Sequence, residues 1–256
     1  MQSAVNKDFV REIKNSKNRF VSIMILSALA VAFLSGLKAT APDMKGTGDE
    51  YLDAQNLYDI QVMSTLGITE EDVAALDSFV GIEAAVGSYV IDAWAGDMVT
   101  KVYAITPGTN DLLLLEGRMP ENLFECVVDE AFLADSGHKI GDTIGIIPGE
   151  DFEDSLKRMN YTIVGTVRSP LYISAERGSA SIGSGSVRAY IYLHFDAFDM
   201  ESYTTAYLKV EGARELTAFY EKYDDFVEAQ IDAMEPFGEK AEFFRSLVDS
   251  MVDRTY

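Results

Sequence analysis

The sequence predicts an α+β protein with one N-terminal transmembrane helix, a mixed strand and helix domain, and long C-terminal helices. Three observations lead to this fold class. An uncharged apolar run extends from Phe20 to Leu37, strand and helix patterns follow in the order β-α-β-β, and helical spacing dominates after residue 213. Strands and helices that do not alternate regularly favour an α+β arrangement over a doubly wound parallel sheet.

The apolar run is predicted to be a membrane span. Its 18 residues carry no charge, and Arg19 and Lys38 bracket it. At about 1.5 Å per residue it is near the lower end of the ~17–25 residues that cross a bilayer. The run is apolar on every face, whereas a helix in the core of a soluble protein has one apolar stripe. We therefore expect residues 20–37 to lie in a membrane.

A cleaved signal peptide is the alternative interpretation of this run. The sequence "ATA" at residues 39–41 resembles a small-x-small cleavage site. However, the run exceeds the ~7–15 apolar residues of a signal peptide, and Pro42 would directly follow the cut. Both features favour a span that is retained.

Cations before the span predict its orientation. Residues 1–38 hold six of the 21 Lys and Arg residues but only two of the 42 acidic residues. By the positive-inside rule, residues 1–19 form a basic cytoplasmic leader, and the chain after about residue 38 is extracytoplasmic. The leader could also lie on the inner leaflet as a short amphipathic helix. The predicted cytoplasmic anchor consists of Arg11, Lys14, Lys17 and Arg19.

The charge and the scarcity of reactive side chains exclude several functions. The formal net charge is −21, and the acidic residues lie almost entirely after the span, so nucleic acid is not an expected partner. The chain has one cysteine, Cys126, and two histidines. We expect Cys126 to be a small buried hydrophobe. No catalytic or metal-binding motif appears, which predicts a protein that is not an enzyme and has no cofactor.

Local patterns place several elements of the domain. Thr69 precedes Asp72 by three residues, which predicts a capping box and a short helix. Gly96 and Asp97 form a turn between two predicted strands, and a helix is expected from about Asp129 to Ser136. The glycine-rich "GSASIGSG" lacks the Lys and Ser/Thr of a P-loop, so a loop between strands is expected.

The C-terminal part is predicted to be helical. Apolar residues recur at three- and four-residue spacing after Ala213, which predicts a long helix up to the break at Pro236. A second helix is expected from about Glu239. The residues that define the first helix are Leu216, Phe219, Tyr220, Tyr223, Val227, Ile231 and Met234.

Five segments in this order resemble the N-terminal part of an FtsX-like (MacB-like) ABC transporter permease. They cover most of residues 7–190. The segments are "REIKNSKNRFVSIMILSALAVAFLSGLKATAPDM", "LYDIQVMSTLGITEEDVAAL", "LEGRMPENLFECVVDEAF", "GHKIGDTIGI" and "YTIVGTVRSPLYISAERGSASIGSGS".

The resemblance implies a membrane protein whose residues 38–212 form an extracytoplasmic domain like the MacB periplasmic core. Residues 213–256 would begin a coiled-coil insert. The implied partners are a cytoplasmic ABC ATPase subunit and either the remaining permease helices or a second permease copy. The implied function is transmission of ATPase-driven motion to the outer domain, for export or extracellular mechanical work. Since no second apolar run follows, the chain would be a fragment or would find its partner spans on another polypeptide. A single-span, membrane-anchored binding module is the alternative.

Overall fold

The computed structural model describes residues 17–173 and 177–234. The chain divides into two units, Met1–Gly48 and Asp49–Tyr256, which are described separately. Helix α1 (Lys17–Ala54) contributes residues to both units. It is longer than the predicted span and continues through the polar residues 43–54. Leu52 in its last turn is buried, so packing as well as backbone bonding stabilises this end of the helix.

A small antiparallel sheet forms the first layer of the second unit. It consists of β1 (Ile60–Ile68), β10 (Tyr203–Val210) and β2 (Ile82–Ser88), in that spatial order. Helices α2 (Glu70–Asp77) and α4 (Glu221–Met234) bury their apolar residues against it. The buried centre of this layer contains Ile60, Val62, Ile68, Ile82, Ala206, Leu208, Val210, Ala213, Val227 and Met234.

The chain between β2 and β10 forms a second, larger sheet. Its strands are β3 (Val90–Ala95), β4 (Met98–Ala104), β5 (Leu113–Gly117), β6 (Glu125–Asp129), β7 (Thr143–Pro148), β8 (Asn160–Arg168) and β9 (Ala189–Leu193). Helix α3 (Glu130–Ser136) follows β6. Short 3₁₀ turns occur at Glu150–Phe152, Phe195–Ala197 and Ala213–Glu215.

Strand β7 closes this sheet into a ring. Residues 146–148 of β7 pair with β3, and residues 143–145 pair with β8. The ring order is therefore β8-β6-β9-β4-β3-β7 and back to β8, with β5 added beside β8. Closure pairs the strand edges that an open sheet would expose. We call this ring the barrel.

Alternating residues of the barrel strands point inward. Ile91 and Ala93 of β3 and Ile191 and Leu193 of β9 are almost completely buried, as the period of two along a strand requires. Cys126 also lies in this core, as predicted, and burial raises the pKa of its thiol. A reactive thiol is thus disfavoured.

The predicted caps are present. Thr69 and Asp72 make both hydrogen bonds of a capping box at α2, and Asp129 caps α3 by accepting from the N–H of Ala131. The side-chain pattern that sets these ends is local, so sequence alone can specify them. Gly96 and Asp97 join β3 to β4, also as predicted.

The predicted start of the C-terminal helix is wrong. Residues 213–215 form a 3₁₀ turn, Leu216 is extended, and α4 begins only at Glu221. The N–H of Ala218 donates to Asp49 Oδ1 at 2.7 Å, a tertiary bond that holds this stretch outside the helix. The second predicted helix, from Glu239, lies outside the described residues. Strand β5 was not predicted.

Candidate functional site

Helix α1 is the candidate membrane element. It is the one helix within the described residues that is long and apolar enough to cross a bilayer, and the side chains of its apolar window are exposed. Leu26 is 70% exposed and Phe33 72%, values expected for a lipid-facing rather than a core helix. The Ser22 hydroxyl donates to the Asn18 carbonyl at 2.8 Å, so its polar group is satisfied within the helix.

The residues predicted as span ends and as cytoplasmic anchor lie partly inside α1 and partly outside the described residues. Phe20 and Leu37 lie inside α1, and Lys17 and Arg19 are in its first turn. Arg11 and Lys14 lie outside the described residues. The assignment of these residues to the two membrane boundaries stays a prediction.

The foot segment, residues 49–59, comprises the end of α1 and the chain that leads into β1. The Ala218 N–H donates to Asp49 Oδ1 at 2.7 Å, and Arg214 Nη2 donates to the Asp53 carbonyl at 2.9 Å. Both donors belong to the stretch after β10. These two hydrogen bonds attach the foot segment to the chain between β10 and α4.

The loop between β4 and β5 binds the other side of the foot segment. The Asn110 N–H donates to the Asn56 carbonyl at 2.9 Å, and the Asp111 N–H donates to the Gln55 carbonyl at 2.7 Å. Asn56 Nδ2 donates to Asp111 Oδ2 at 2.7 Å. Asn56 and Asn110 both have positive φ, 51° and 56°, which asparagine tolerates better than most residues. The carbonyls at the helix end are thus satisfied by protein.

Asp59 completes the foot segment with a half-buried carboxylate. Its Oδ1 accepts from the Tyr223 hydroxyl at 2.6 Å, and its Oδ2 accepts from the Val210 N–H at 2.7 Å. Burial raises the pKa of Asp59, although both hydrogen bonds oppose the rise. Burial, with the nearby Asp59 charge, also raises the pKa of Tyr223. These bonds connect the segment before β1 to β10 and α4.

A crevice of about 60 Å³ lies beside the foot segment. Its lining includes Asp53, Asp59, Glu83, Lys209 and Arg214. Within residues 17–173 and 177–234, no group of three or more His, Cys, Asp or Glu side chains is arranged to hold a metal ion. The crevice is too small for a drug-sized ligand, which needs several hundred Å³. The contacts of the foot segment attach it to both neighbouring parts of the domain.

Tyrosines cover the outer face of the barrel. The rings of Tyr172 and Tyr190 stack with centroids 4.7 Å apart, and those of Tyr103 and Tyr192 stack at 5.0 Å. The Tyr192 hydroxyl and Ser169 Oγ are 2.6 Å apart. Burial raises the pKa of Tyr172 and of Tyr190 to about 12, so both phenols stay neutral near pH 7. This layer is structural, and the alternating "YIY" of β9 is its clearest sequence signal.

A buried ion pair fastens the loop between β8 and β9 to this layer. Arg177 Nε donates to Asp129 Oδ2 at 2.8 Å, and the two side chains are 17% and 5% exposed. The guanidinium lies over the Tyr172 and Tyr190 rings, 5.5 and 5.3 Å from their centroids. Asp129 therefore both caps α3 and holds Arg177.

The glycine-rich loop is a connection, as predicted, and one of its residues, Ser181, already donates to an anion. The Ser181 N–H donates to Asp92 Oδ2 at 2.6 Å, and Lys101 Nζ lies 2.8 Å from Asp92 Oδ1. The Asp92 carboxylate thus occupies the loop's backbone donor where a phosphate-binding loop would hold its ligand.

No protein-family model matches the chain, and no curated protein matches it. Solved structures similar to it include the extracellular domain of the ABC-type transporter YknZ from Gram-positive bacteria (14% identity, 65% of this chain and 86% of that chain, TM-score 0.38). The periplasmic region of MacB from Actinobacillus actinomycetemcomitans has 11% identity over 76% of this chain and 86% of that one, TM-score 0.38. A domain of a protein described as a permease from Porphyromonas gingivalis has 16% identity over 73% and 75%, TM-score 0.31. The chain thus covers most of each of these solved structures, at low sequence identity.

Proposed function

We propose that this chain is the N-terminal portion of an ABC transporter permease subunit, with residues 1–19 in the cytoplasm and the domain after the span outside the cell. The observation that carries the proposal is helix α1, Lys17–Ala54, whose apolar window is exposed and long enough to cross a bilayer and which continues in sequence into the foot segment. The ordered motif resemblance supports the class of protein.

The function we propose is transmission of ATPase-driven motion to the outer domain, for export or extracellular mechanical work. A displacement of α1 would move the foot segment, and the hydrogen bonds of that segment would pass the movement to the domain. Asp59 is bonded to β10 and α4, and the carbonyls of Gln55 and Asn56 are bonded to the loop after β4. Both layers of the domain would therefore receive the displacement.

The proposed partners are the membrane, a cytoplasmic ABC ATPase subunit, and the remaining permease helices or a second copy of the permease. The chain itself would perform no catalysis. A single-span, membrane-anchored binding module is the second candidate, and an open groove beside β2 favours it.

Cysteine labelling of the full chain in intact cells tests the orientation. Asp97 lies in the exposed turn after β3, and the native Cys126 is buried, which makes it a silent background. We expect a membrane-impermeant maleimide to label the Asp97→Cys variant in intact cells. The Lys7→Cys variant should be labelled only after lysis. The reverse pattern would overturn the proposal.

A second experiment tests transmission. The DNA beside the gene would first be sequenced to find an ABC ATPase gene, and the chain would then be co-expressed with that ATPase and the complex isolated from membranes. Asp49→Ala removes the acceptor of the Ala218 N–H. We expect this variant to retain the complex and its ATP hydrolysis while losing transport or extracellular activity. Failure of the two wild-type proteins to associate would favour the anchored binding module.

A further inference from the structure

One arginine after the span differs from the others in its pairing. Arg158 is exposed and forms no ion pair with a described carboxylate, although the chain has 42 acidic residues and only 21 basic ones. Its guanidinium is therefore available to an anion from outside the chain. Five other arginines in the described residues after the span each pair with a carboxylate, and the pairs are Arg118–Glu125, Arg168–Glu130, Arg177–Asp129, Arg188–Asp135 and Arg214–Asp53.

Exposed apolar side chains surround this arginine. The Arg158 guanidinium lies over the Phe124 ring, with Cζ 4.2 Å from the ring centroid. The ring face attracts the cation, while the N–H donors of a guanidinium point outward from its edge. Phe124 is 45% exposed, and Met159, the residue after Arg158, is 43% exposed. Arginine, aromatic and methionine side chains are enriched in protein–protein interfaces. We call Phe124, Lys157, Arg158 and Met159 the Arg158 surface.

The Arg158 surface lies at one end of the barrel. Strands β6 and β8 are paired in parallel, and Phe124 and Met159 directly precede them, so both residues are at the end where these strands begin. Side chains alternate along a strand, and the next residues of the same parity, Cys126 and Tyr161, are buried in the core. Phe124 and Met159 thus continue two inward rows beyond the core, which explains their exposure.

Hydrogen bonds fix the backbone beneath this surface. The Tyr161 hydroxyl donates to the Arg158 carbonyl at 2.9 Å. The carbonyl of Met159 accepts from the backbone of β7 at 2.8 Å, and the Thr162 N–H donates to the Phe124 carbonyl at 2.8 Å. A ligand would therefore meet side chains that stand on an ordered backbone, which lowers the entropy lost on binding.

The chemistry of the Arg158 surface favours a carboxylate beside an apolar side chain. A guanidinium binds a carboxylate through two parallel hydrogen bonds, and the exposed Lys157 adds a second positive charge. Phe124 and Met159 would be covered by an apolar side chain of the ligand, whereas a uniformly charged polyanion would leave them exposed. The net charge of −21 repels acidic ligands from the rest of the protein, so this local pair of cations gives the site its selectivity.

We propose that the Arg158 surface is a docking site for an acidic segment of a partner protein, whose carboxylate pairs with Arg158 and whose neighbouring apolar side chain packs on Phe124 and Met159. The proposal rests on the proposed function only in that an extracytoplasmic domain would meet secreted or surface-exposed partners. Binding itself does not depend on the orientation of the membrane span.

Peptide binding to the full chain in nonionic detergent tests this inference. The probe is a rhodamine-labelled peptide, Gly-Glu-Phe-Glu-Leu-Glu-Gly, followed by fluorescence anisotropy, and micelles without protein give the background. One control peptide has glutamine in place of glutamate, which removes the charge. Another has serine in place of phenylalanine and leucine, which removes the apolar contact. We expect saturable binding of the first peptide and at least about fivefold weaker binding of both controls.

Two matched variants locate the binding site. Arg158→Gln and Arg188→Gln each remove one exposed arginine, but Arg188 is already paired with Asp135. We expect a loss of affinity of about fivefold or more for R158Q and of less than about twofold for R188Q. Arg158→Lys keeps the charge but loses the paired N–H geometry, so its affinity should lie between those of wild type and R158Q.

Three results would overturn the inference. They are the absence of saturable binding, equal losses in R158Q and R188Q, and unchanged affinity of either control peptide. Labelling of the Asp97→Cys variant in intact cells together with no peptide binding would retain the proposed function and reject the docking site. Binding combined with the opposite labelling pattern would do the reverse.

Discussion

The Tyr223 hydroxyl donates a 2.6 Å hydrogen bond to Asp59 across 164 positions of sequence. Asp59 stands just before β1, and Tyr223 is in the first turn of α4. The same carboxylate also accepts from the backbone of β10. One half-buried side chain therefore connects the start of the small sheet, its central strand and its C-terminal helix.

The carboxylate of Asp59 should make the stability of the domain depend on pH. Its pKa in the folded state is raised above the ordinary value of 3.8 by burial. Between these two pKa values the folded state binds more protons, so the free energy of unfolding falls as pH rises through that window and is constant above it. In Asp59→Asn this contribution should vanish, giving a flatter profile between about pH 4 and the raised pKa.

Denaturant unfolding of the full chain at a series of pH values measures this effect, with Trp94, the one tryptophan, as the fluorescent reporter. Asp225, an exposed acid on α4, provides the control. Asp225→Asn should retain the wild-type slope. If the free energy of unfolding of D59N depends on pH as steeply as that of wild type, Asp59 is not the source of the pH dependence.

Substitution of Leu29 by arginine should impair membrane insertion. Leu29 lies at the centre of the apolar run, and a central arginine costs about 2.5–3.5 kcal/mol on insertion scales. The amount of chain that resists carbonate extraction measures the effect, with Leu29→Ala as the control. Recovery of the arginine variant at the level of the alanine variant would argue against a span there.

Loss of Arg177 should destabilise the barrel by roughly 3 kcal/mol or more, because Asp129 would be left as an unpaired buried charge. Arg177→Met makes this change while retaining much of the side-chain volume. The double variant Asp129→Asn with Arg177→Met removes the orphan charge and keeps an oxygen to cap α3, so most of the stability should return. The free energies of unfolding of wild type, both single variants and the double variant measure this effect. If the losses of the two single variants simply add in the double variant, Asp129 and Arg177 are not energetically coupled.

Two glycines provide a matched test of packing at the β5–β8 pair. Gly117 and Gly137 both have positive φ, 79° and 74°. A Cβ atom at Gly117 would come within 2.2 Å of the Val164 carbonyl oxygen, whereas one at Gly137 would meet nothing within 4 Å. Gly137→Ala should cost about 1–2 kcal/mol, the strain of a left-handed residue. Gly117→Ala should cost more, by roughly 1–3 kcal/mol, from the clash. Equal losses in thermal or denaturant unfolding would contradict the close approach of β5 and β8 at Gly117.

Local signals in the sequence predicted much of the fold. The apolar run, the Thr69–Asp72 capping box and the Asp129 cap each depend on residues within one element, and the structure contains all three features. The burial of Cys126 followed from its place in an apolar strand.

The features that sequence reasoning missed depend on distant partners. The late start of α4 reflects the bond from Ala218 to Asp49, 169 positions away. Barrel closure depends on β7 changing partner from β8 to β3 part-way along its length. The foot segment has no motif of its own, since its acceptors are mostly backbone carbonyls. Such contacts leave no periodic signal in a single sequence.

The insertion of the barrel between β2 and β10 has an evolutionary consequence. Ser88 and Thr205 are paired across these strands, so the chain leaves the small sheet and returns to it at adjacent positions. The small sheet with its two helices thus resembles a host, and residues 89–202 resemble an insert between two paired strands of that host. Inserts of other sizes could be exchanged there during descent without altering the register of the host strands.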